Sequence, residues 1–530
     1  MDLRVLVADP ISEEGLALLR QQVGIQVDVC PGLTPAELVD CIGQYDGLIV
    51  RSATRVTAEV IAAASRLRVI GRAGVGVDNI DVDAATRKGI VVINAPEGNT
   101  IATAEHTIAM MFALARWIPQ AHAAVSRDRQ WDRQRFMGMQ VQGKVLGVIG
   151  LGRIGSQVAR RALALGMEVL AYDPYISSER AKELGVELAD VDDICRRAHV
   201  ITVHTPLTRA TENLIGRRQF ELMQPGVRII NCARGGIIDE EALYEALEEG
   251  KVAGAALDVF RHEPPWDSPL VGHPRVVVTP HLGASTAESQ IHVAVDVAAQ
   301  LVRALRGQPV RNAVNLPALS PEEMEKLAPF LDLAERLGRL YTELVGGGHR
   351  RLEIVYSGQL AEMDCAPLTR AVLKGMLDPI LHEAVNYVNA PLVARERGIQ
   401  VAETRQGDAG DYQSLITLRG TNGHTGDRTV AGTLTGRNVP TLVGIDGYRV
   451  NVDTSGYLLV ARNVDRPGMI GRVGTLLGES AINIAFMQVG RKEVGGHAVM
   501  VLGVDDPIPG PVLQQLEQME DLWDTRLVRW

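Results

Sequence analysis

Three polar side chains in this 530-residue sequence stand where runs of apolar residues end. Arg234 lies in Asn231-Cys232-Ala233-Arg234-Gly235-Gly236, just after a predicted strand over 228–231. Glu263 lies in the loop from Asp258 to Pro265. His281 follows a predicted strand over 276–279, in Thr279-Pro280-His281-Leu282-Gly283. Open α/β sheets bind ligands beyond the carboxyl ends of their strands, so these three residues are expected at one sheet edge. A carboxylate beside an imidazole fixes its tautomer and stabilises its protonated form, which prepares it for proton transfer. An arginine beside that pair can clamp a substrate carboxylate through two parallel hydrogen bonds. The expected chemistry is proton transfer on a small organic acid.

A second constellation supplies the oxidant. Gly150-Leu151-Gly152-Arg153-Ile154-Gly155 directly follows an apolar run at 145–149 and opens a predicted helix over 154–165. That helix feeds a strand at 168–172 ending in Asp173, 23 positions beyond Gly150. Gly150 permits the turn, Gly152 lets a pyrophosphate approach the backbone, and Gly155 lets the helix pack on the sheet. The helix N-terminus then faces the anion. Asp173 is positioned to accept hydrogen bonds from the adenosine ribose and to repel a 2′-phosphate, which favours NAD over NADP. The expected cofactor is NAD, with no metal.

The elements that must carry these residues alternate in a βαβ rhythm. Strands are predicted at 3–8, 26–29 and 47–50, with helices at 13–20 and 36–42 between them. The second helix opens Thr34-Pro35-Ala36-Glu37, an N-cap hydroxyl, a first-turn proline and a capping-box glutamate. The strand series restarts at 144–149 and continues at 169–172, 200–204, 228–231, 253–258 and 276–279, after a connecting helix over 101–117. The character changes near 309–317. A helix starting after Ser320 runs to about Val345, and β-like runs then follow, separated by Gly346-Gly347-Gly348, Gly420-Thr421-Asn422-Gly423 and Gly444-Ile445-Asp446-Gly447. The last stretch reads β-α-β-β-α-β from 457 to 528, the order of a ferredoxin-like module. The predicted fold is therefore α/β, with two Rossmann-like or flavodoxin-like doubly wound domains, an α+β intervening domain and a ferredoxin-like module.

Composition limits the partners. Fifty-four Lys and Arg against 64 Asp and Glu leave a net charge of −10 and no basic run, which excludes nucleic acid and an anionic membrane as expected partners. The five cysteines (Cys30, Cys41, Cys195, Cys232, Cys365) are scattered without a CxxC pair, as in a reducing compartment. Met1–Val7 already reads as a strand, so no signal peptide is expected and the location is expected to be cytoplasmic.

Several motifs resemble the D-isomer-specific 2-hydroxyacid dehydrogenase family, in its long form. These are Gly71-Arg72-Ala73-Gly74-Val75-Gly76-Val77-Asp78-Asn79-Ile80-Asp81, Asn94-Ala95-Pro96-Glu97-Gly98-Asn99, the glycine loop at 150–155, His204-Thr205-Pro206-Leu207, the run 231–236, Ala256–Phe260 with Glu263-Pro264-Pro265, and Pro280–Thr286. The resemblance implies that Arg234, Glu263 and His281 are catalytic. It implies NAD contacts from Arg153, Ile154, Asp173, Thr205, Cys232, Ala233, Arg234 and Asp258, and from the run His281, Leu282, Gly283 and Ala284. Substrate contacts would come from Arg51, Ser52, Arg72, Gly74 and Asn99, with Arg133 and Arg135 reaching across from a partner subunit. Several arginines suit a phosphorylated hydroxy acid carrying about three negative charges.

The implied reaction is NAD-dependent oxidation of D-3-phosphoglycerate to 3-phosphohydroxypyruvate, towards L-serine, in a homodimer or homotetramer. The implied domains are a discontinuous substrate lobe (1–98 and 285–316), an NAD-binding lobe (99–284), an intervening domain (317–454) and an ACT domain (455–530). Asn463, Asp465 and Asn483 would hold an amino-acid effector, L-serine in serine-responsive relatives, at an interface between two ACT domains. In the intervening domain His349-Arg350-Arg351 is a candidate anion patch or a solvated basic turn. Two rivals are a glyoxylate or hydroxypyruvate reductase with the same trio, and a non-catalytic NAD-sensing regulator on the same fold.

Overall fold

The computed structural model describes residues 2–317, 320–346, 350–381, 385–421, 427–453 and 456–530. Four sheets organise it. The first holds five parallel strands in the order Ile25–Val29, Leu3–Val7, Gly47–Val50, Val69–Arg72, Val91–Asn94. This is the flavodoxin-like order 2-1-3-4-5. The strand Gly47–Val50 is buried throughout, as parallel strands covered on both faces must be. The capping box at Thr34 forms: the Thr34 hydroxyl accepts from the Glu37 amide at 3.3 Å, and the Glu37 carboxylate accepts from the Thr34 amide at 2.8 Å.

The second sheet has seven parallel strands in the order Val276–Val278, Val252–Leu257, Val227–Asn231, Val200–Val203, Val145–Ile149, Glu168–Tyr172, Glu187–Leu188. The strand order reverses between Val145–Ile149 and Val200–Val203, and a crevice opens beyond their carboxyl ends. The helix Thr100–Ala115 joins the two sheets. The chain then returns to the first sheet: Val293, Val297 and Leu301 of the helix Ala287–Leu305 share a core with Val5, Val7, Ile49 and Val69. A short bridge pairs Ala313 with Ile93.

Beyond the helix Pro321–Val345 lies a six-stranded, mostly antiparallel sheet, followed by a four-stranded antiparallel sheet in the order Ile484–Arg491, His497–Val504, Tyr457–Val464, Leu522–Arg529. Two helices, Ala366–Leu377 and Ala390–Glu396, interrupt what the sequence reads as strands alone. Each has proline in its first turn, and the first buries Leu368, Ala371, Val372 and Met376 at helical spacing. The flanking glycine-rich turns hide that signal. Two further differences lie in the first sheet, where the strands Val69–Arg72 and Val91–Asn94 join those predicted at 3–8, 26–29 and 47–50. Of the residues singled out in the glycine-rich turns and the basic turn, Gly347, Gly348, His349, Asn422 and Gly423 lie outside the described residues. No helix among the described residues is long and apolar enough to cross a membrane.

Candidate active site

The glycine loop takes its shape from steric necessity. Gly150 has φ 95°, in the left-handed region, and a Cβ on Gly155 would lie 1.9 Å from the Gly150 carbonyl oxygen. Around Gly152, by contrast, a Cβ would meet nothing, so the loop is open on the crevice side. No side chain caps the helix Arg153–Ala164, which leaves its first amides for an anion. Asp173 caps the neighbouring strand; one oxygen accepts from the Leu151 amide and the other from the Tyr175 amide, both at 2.9 Å. Each oxygen retains a lone pair for a ribose hydroxyl.

Across the strand-order reversal sit His204 and Thr205. The Thr205 hydroxyl and His204 Nδ1 are buried with no partner among the described residues. Burial pushes the His204 imidazole down to about 4, so it stays neutral beside the loop. Orphaned polar atoms, an open glycine and an uncapped helix end together form a cradle whose donors suit a dinucleotide. Cys232 at the end of its strand is 5% exposed, and burial, reinforced by Asp258, pushes its thiol up to about 12. Any cofactor contact at Cys232 therefore belongs to its backbone.

Asp258 organises the loop that carries His281. Its carboxylate accepts from the Thr279 hydroxyl at 2.6 Å and from the amides of Leu282 and Gly283 at 2.7 and 2.8 Å. His106 Nε2 lies 3.3 Å away, on the helix joining the sheets. Burial pushes the carboxyl up, but the hydrogen bonds outweigh it and hold Asp258 below the usual range. Pinned in this way, His281 adopts φ 55° and directs Nδ1 to Glu263 Oε2 at 2.9 Å. Glu263 Oε1 accepts from the Phe260 amide at 3.2 Å. For Glu263 too, burial acts upward, and the bond and charge of His281 bring the net shift below the usual range. Arg234 donates from Nη1 to the Ala233 carbonyl at 2.7 Å and from Nε to Asp78 of the other lobe at 3.2 Å.

These side chains line a cavity of about 700 Å³ between the two lobes. Arg51, Ser52, Arg72 and Gly74 enter it from the first lobe, and Asn99, Arg234, Glu263, His281 and Ala284 from the second. The Arg72 Nε is buried without a hydrogen-bond partner among the described residues, and burial together with the charge of Arg234 lowers its guanidinium to about 10. Arg133 and Arg135 do not reach this cavity within one chain. Arg135 donates to Gln130 at 3.0 Å and stacks 5.3 Å from the Phe136 ring centroid. Asp78 and His106 carry contacts that the sequence reading did not assign. Asp78 stood inside a quoted motif, but its partner is 156 residues away.

In the last sheet Asn463 is 2% exposed and donates to its neighbour's carbonyl, Val464 O, at 2.9 Å. Asp465 accepts from Arg491 at 2.9 Å, and Asn483 donates to Asp505 at 2.7 Å. The register pairs Val464 with His497 and Ile484 with Val504, so Asp465 and Asn483 stand at opposite ends of the sheet. Asp465 lies beside Gly496 and Asn483 beside Asp505, and at about 3.4 Å per residue that separation along the strand is roughly 30 Å.

Comparison with known proteins gives three domain matches. Residues 108–283 match the D-isomer specific 2-hydroxyacid dehydrogenase NAD binding domain, 326–446 the D-3-phosphoglycerate dehydrogenase intervening domain, and 457–521 the ACT domain. A D-3-phosphoglycerate dehydrogenase of Synechocystis sp. is 50% identical over 527 residues, covering 99% of this chain and 94% of the relative. That of Archaeoglobus fulgidus is 48% identical over 530 residues, covering 99% and 100%. Among solved structures, a Thermus thermophilus protein is 37% identical with TM-score 0.55, covering 59% of this chain and all of that one. A D-lactate dehydrogenase from Aquifex aeolicus, solved with NAD and lactic acid, is 28% identical with TM-score 0.53 over the same shares.

Proposed function

The chain belongs to the D-3-phosphoglycerate dehydrogenase family, and on that premise we propose how its cleft oxidises D-3-phosphoglycerate reversibly to 3-phosphohydroxypyruvate. The observation that carries the reading is the single cavity where the His281–Glu263 pair meets Arg234, Arg51 and Arg72. The chemistry that bound NAD would supply is acceptance, at its nicotinamide ring, of the hydride from C2 of the substrate. Its pyrophosphate would lie on the amides at Arg153 and Ile154, and its ribose on Asp173. Thr205, the backbone of 232–234, Asp258 and the run 281–284 complete the cradle.

Arg234 clamps the substrate carboxylate and polarises the C2 oxygen, while Arg51, Arg72, Ser52 and Asn99 take the phosphate end. As the hydride departs, His281 Nε2 takes the C2 hydroxyl proton and the C–O bond becomes a carbonyl. Glu263 holds Nδ1–H and stabilises the imidazolium that forms. In reduction the same proton returns to the alkoxide oxygen. Closing the lobes excludes water and aligns C2.

The reading extends to assembly. Because Asp465 and Asn483 stand at opposite ends of one sheet, an L-serine site using both needs a second ACT domain, so a dimer or tetramer follows. Arg133 and Arg135, clear of their own cavity, would serve a partner's. A cytoplasmic location fits five free cysteines dispersed over the fold.

An NADH-absorbance assay across 3-phosphohydroxypyruvate, hydroxypyruvate and glyoxylate tests the function. A kcat/KM preference of at least tenfold for the phosphorylated acid is expected. Equal rates with unphosphorylated acids would make the protein a general reductase, and no turnover would leave an NAD-sensing regulator.

A further inference from the structure

The cavity is rich in arginine, and Arg234 is held from two directions. Its Nη1 donates backwards to the Ala233 carbonyl of its own lobe at 2.7 Å, and its Nε donates across the cleft to Asp78 at 3.2 Å. With Nε and one Nη1 hydrogen engaged, Nη2 is the end left for a ligand. Beneath it lies Gly76. A Cβ there would stand 2.0 Å from Arg234 Nη2 and 2.7 Å from the Asp78 carboxylate, so the pair rests directly on bare backbone.

We propose that Asp78 is a positioning residue: it orients the Arg234 guanidinium towards the substrate carboxylate, and it does so only when the two lobes are together. Asp78 belongs to the lobe of the strands at 3–94, and Arg234 follows the strand Val227–Asn231 of the other lobe. A contact that bridges the cleft breaks when the cleft opens. An open enzyme then presents a loose guanidinium that admits and releases anions, and a closed one presents a fixed fork that sets C2 against His281. Asp78 does not touch the reacting atoms. Its effect passes through Arg234, and the inference rests on the role given to Arg234 above.

The test compares Asp78→Ala and Asp78→Asn with wild type, reading kcat and KM for 3-phosphohydroxypyruvate at saturating NADH. NADH affinity by fluorescence serves as the check on folding. Asp78→Ala is expected to lower kcat about tenfold to a hundredfold, the scale of a misplaced reacting group, with KM within about threefold. The Asn carbonyl oxygen still accepts from Nε, so Asp78→Asn is expected to recover kcat to within about fivefold of wild type. Gly76→Ala, which wedges the pair apart from the backbone side, is expected to reproduce the kcat loss if Asp78→Ala does not fold. Wild-type kcat in Asp78→Ala or Gly76→Ala, a KM change alone, or an Asn variant no better than Ala would overturn the inference. An inactive wild-type chain would overturn the functional reading and this inference together, whereas an active wild type with indifferent variants overturns the inference alone.

Discussion

The most discriminating perturbation is a pair of substitutions at Glu263. Its two oxygens have different duties: Oε1 accepts from the Phe260 amide at 3.2 Å and Oε2 faces His281 Nδ1 at 2.9 Å. In Glu263→Gln the single amide oxygen is claimed by the Phe260 N–H, which can only donate. The amide NH2 then points at Nδ1 and turns it into an acceptor, which places the imidazole proton on Nε2. That tautomer cannot take the substrate's hydroxyl proton. Inverting a catalytic histidine's tautomer costs about 10⁴-fold in a carboxylate–histidine pair of this type. Glu263→Ala removes the charge-assisted bond, worth about 1.5–3 kcal/mol, and leaves His281 free to adopt either tautomer. Its expected loss is therefore about 10- to 150-fold. The bulkier, more conservative glutamine should be the poorer enzyme, by roughly a factor of ten or more. Steady-state oxidation of D-3-phosphoglycerate, followed by NADH absorbance, measures both, and NADH fluorescence titration should give wild-type affinity in each. A glutamine variant as active as the alanine variant would refute the tautomer argument, and two variants within twofold of wild type would remove Glu263 from the mechanism.

Other predictions concern the cofactor and acid stability. Asp173→Ala should weaken NAD binding about 10- to 150-fold through loss of hydrogen bonds to a charged acceptor, and should narrow the preference over NADP; an unchanged NAD-to-NADP ratio in fluorescence titration would contradict the ribose contact. Asp258 is held below the usual carboxylate range, burial acting upward and the bonds from His106, Thr279 and Leu282 prevailing downward. A lowered native value means that its stabilisation is complete above the unfolded value near 4 and is lost as pH falls through the native one. Calorimetry should show a Tm that is steady down to about pH 5 and drops below about pH 4. Asp258→Asn, which leaves one buried amide without an acceptor, should lower stability by about 1–3 kcal/mol at pH 7 and flatten the acid slope; an acid slope as steep as wild type would count against it.

Local grammar was legible in the sequence and long-range pairing was not. Gly150, Gly155 and the strand before them announce their geometry because a left-handed φ and a close approach admit only glycine. Strand ends likewise mark Arg234 and His281, since open sheets present ligands there. The Arg234–Asp78 contact spans 156 residues, and the contact of His106 with Thr279 spans 173; no local spacing encodes such distances. The helices Ala366–Leu377 and Ala390–Glu396 were missed for a different reason. Their proline starts are short signals among glycine-rich turns, and packing against the helix Pro321–Val345, rather than propensity, stabilises the longer of them.

The central claim is that one imidazole exchanges a proton with the C2 oxygen while the cofactor site stands independent of it. Turnover of 3-phosphohydroxypyruvate by His281→Ala, measured beside its NADH affinity, tests this most directly. A fall in kcat of at least 10²- to 10⁴-fold with NADH affinity within about threefold of wild type is predicted. A variant that turns over at the wild-type rate would contradict it.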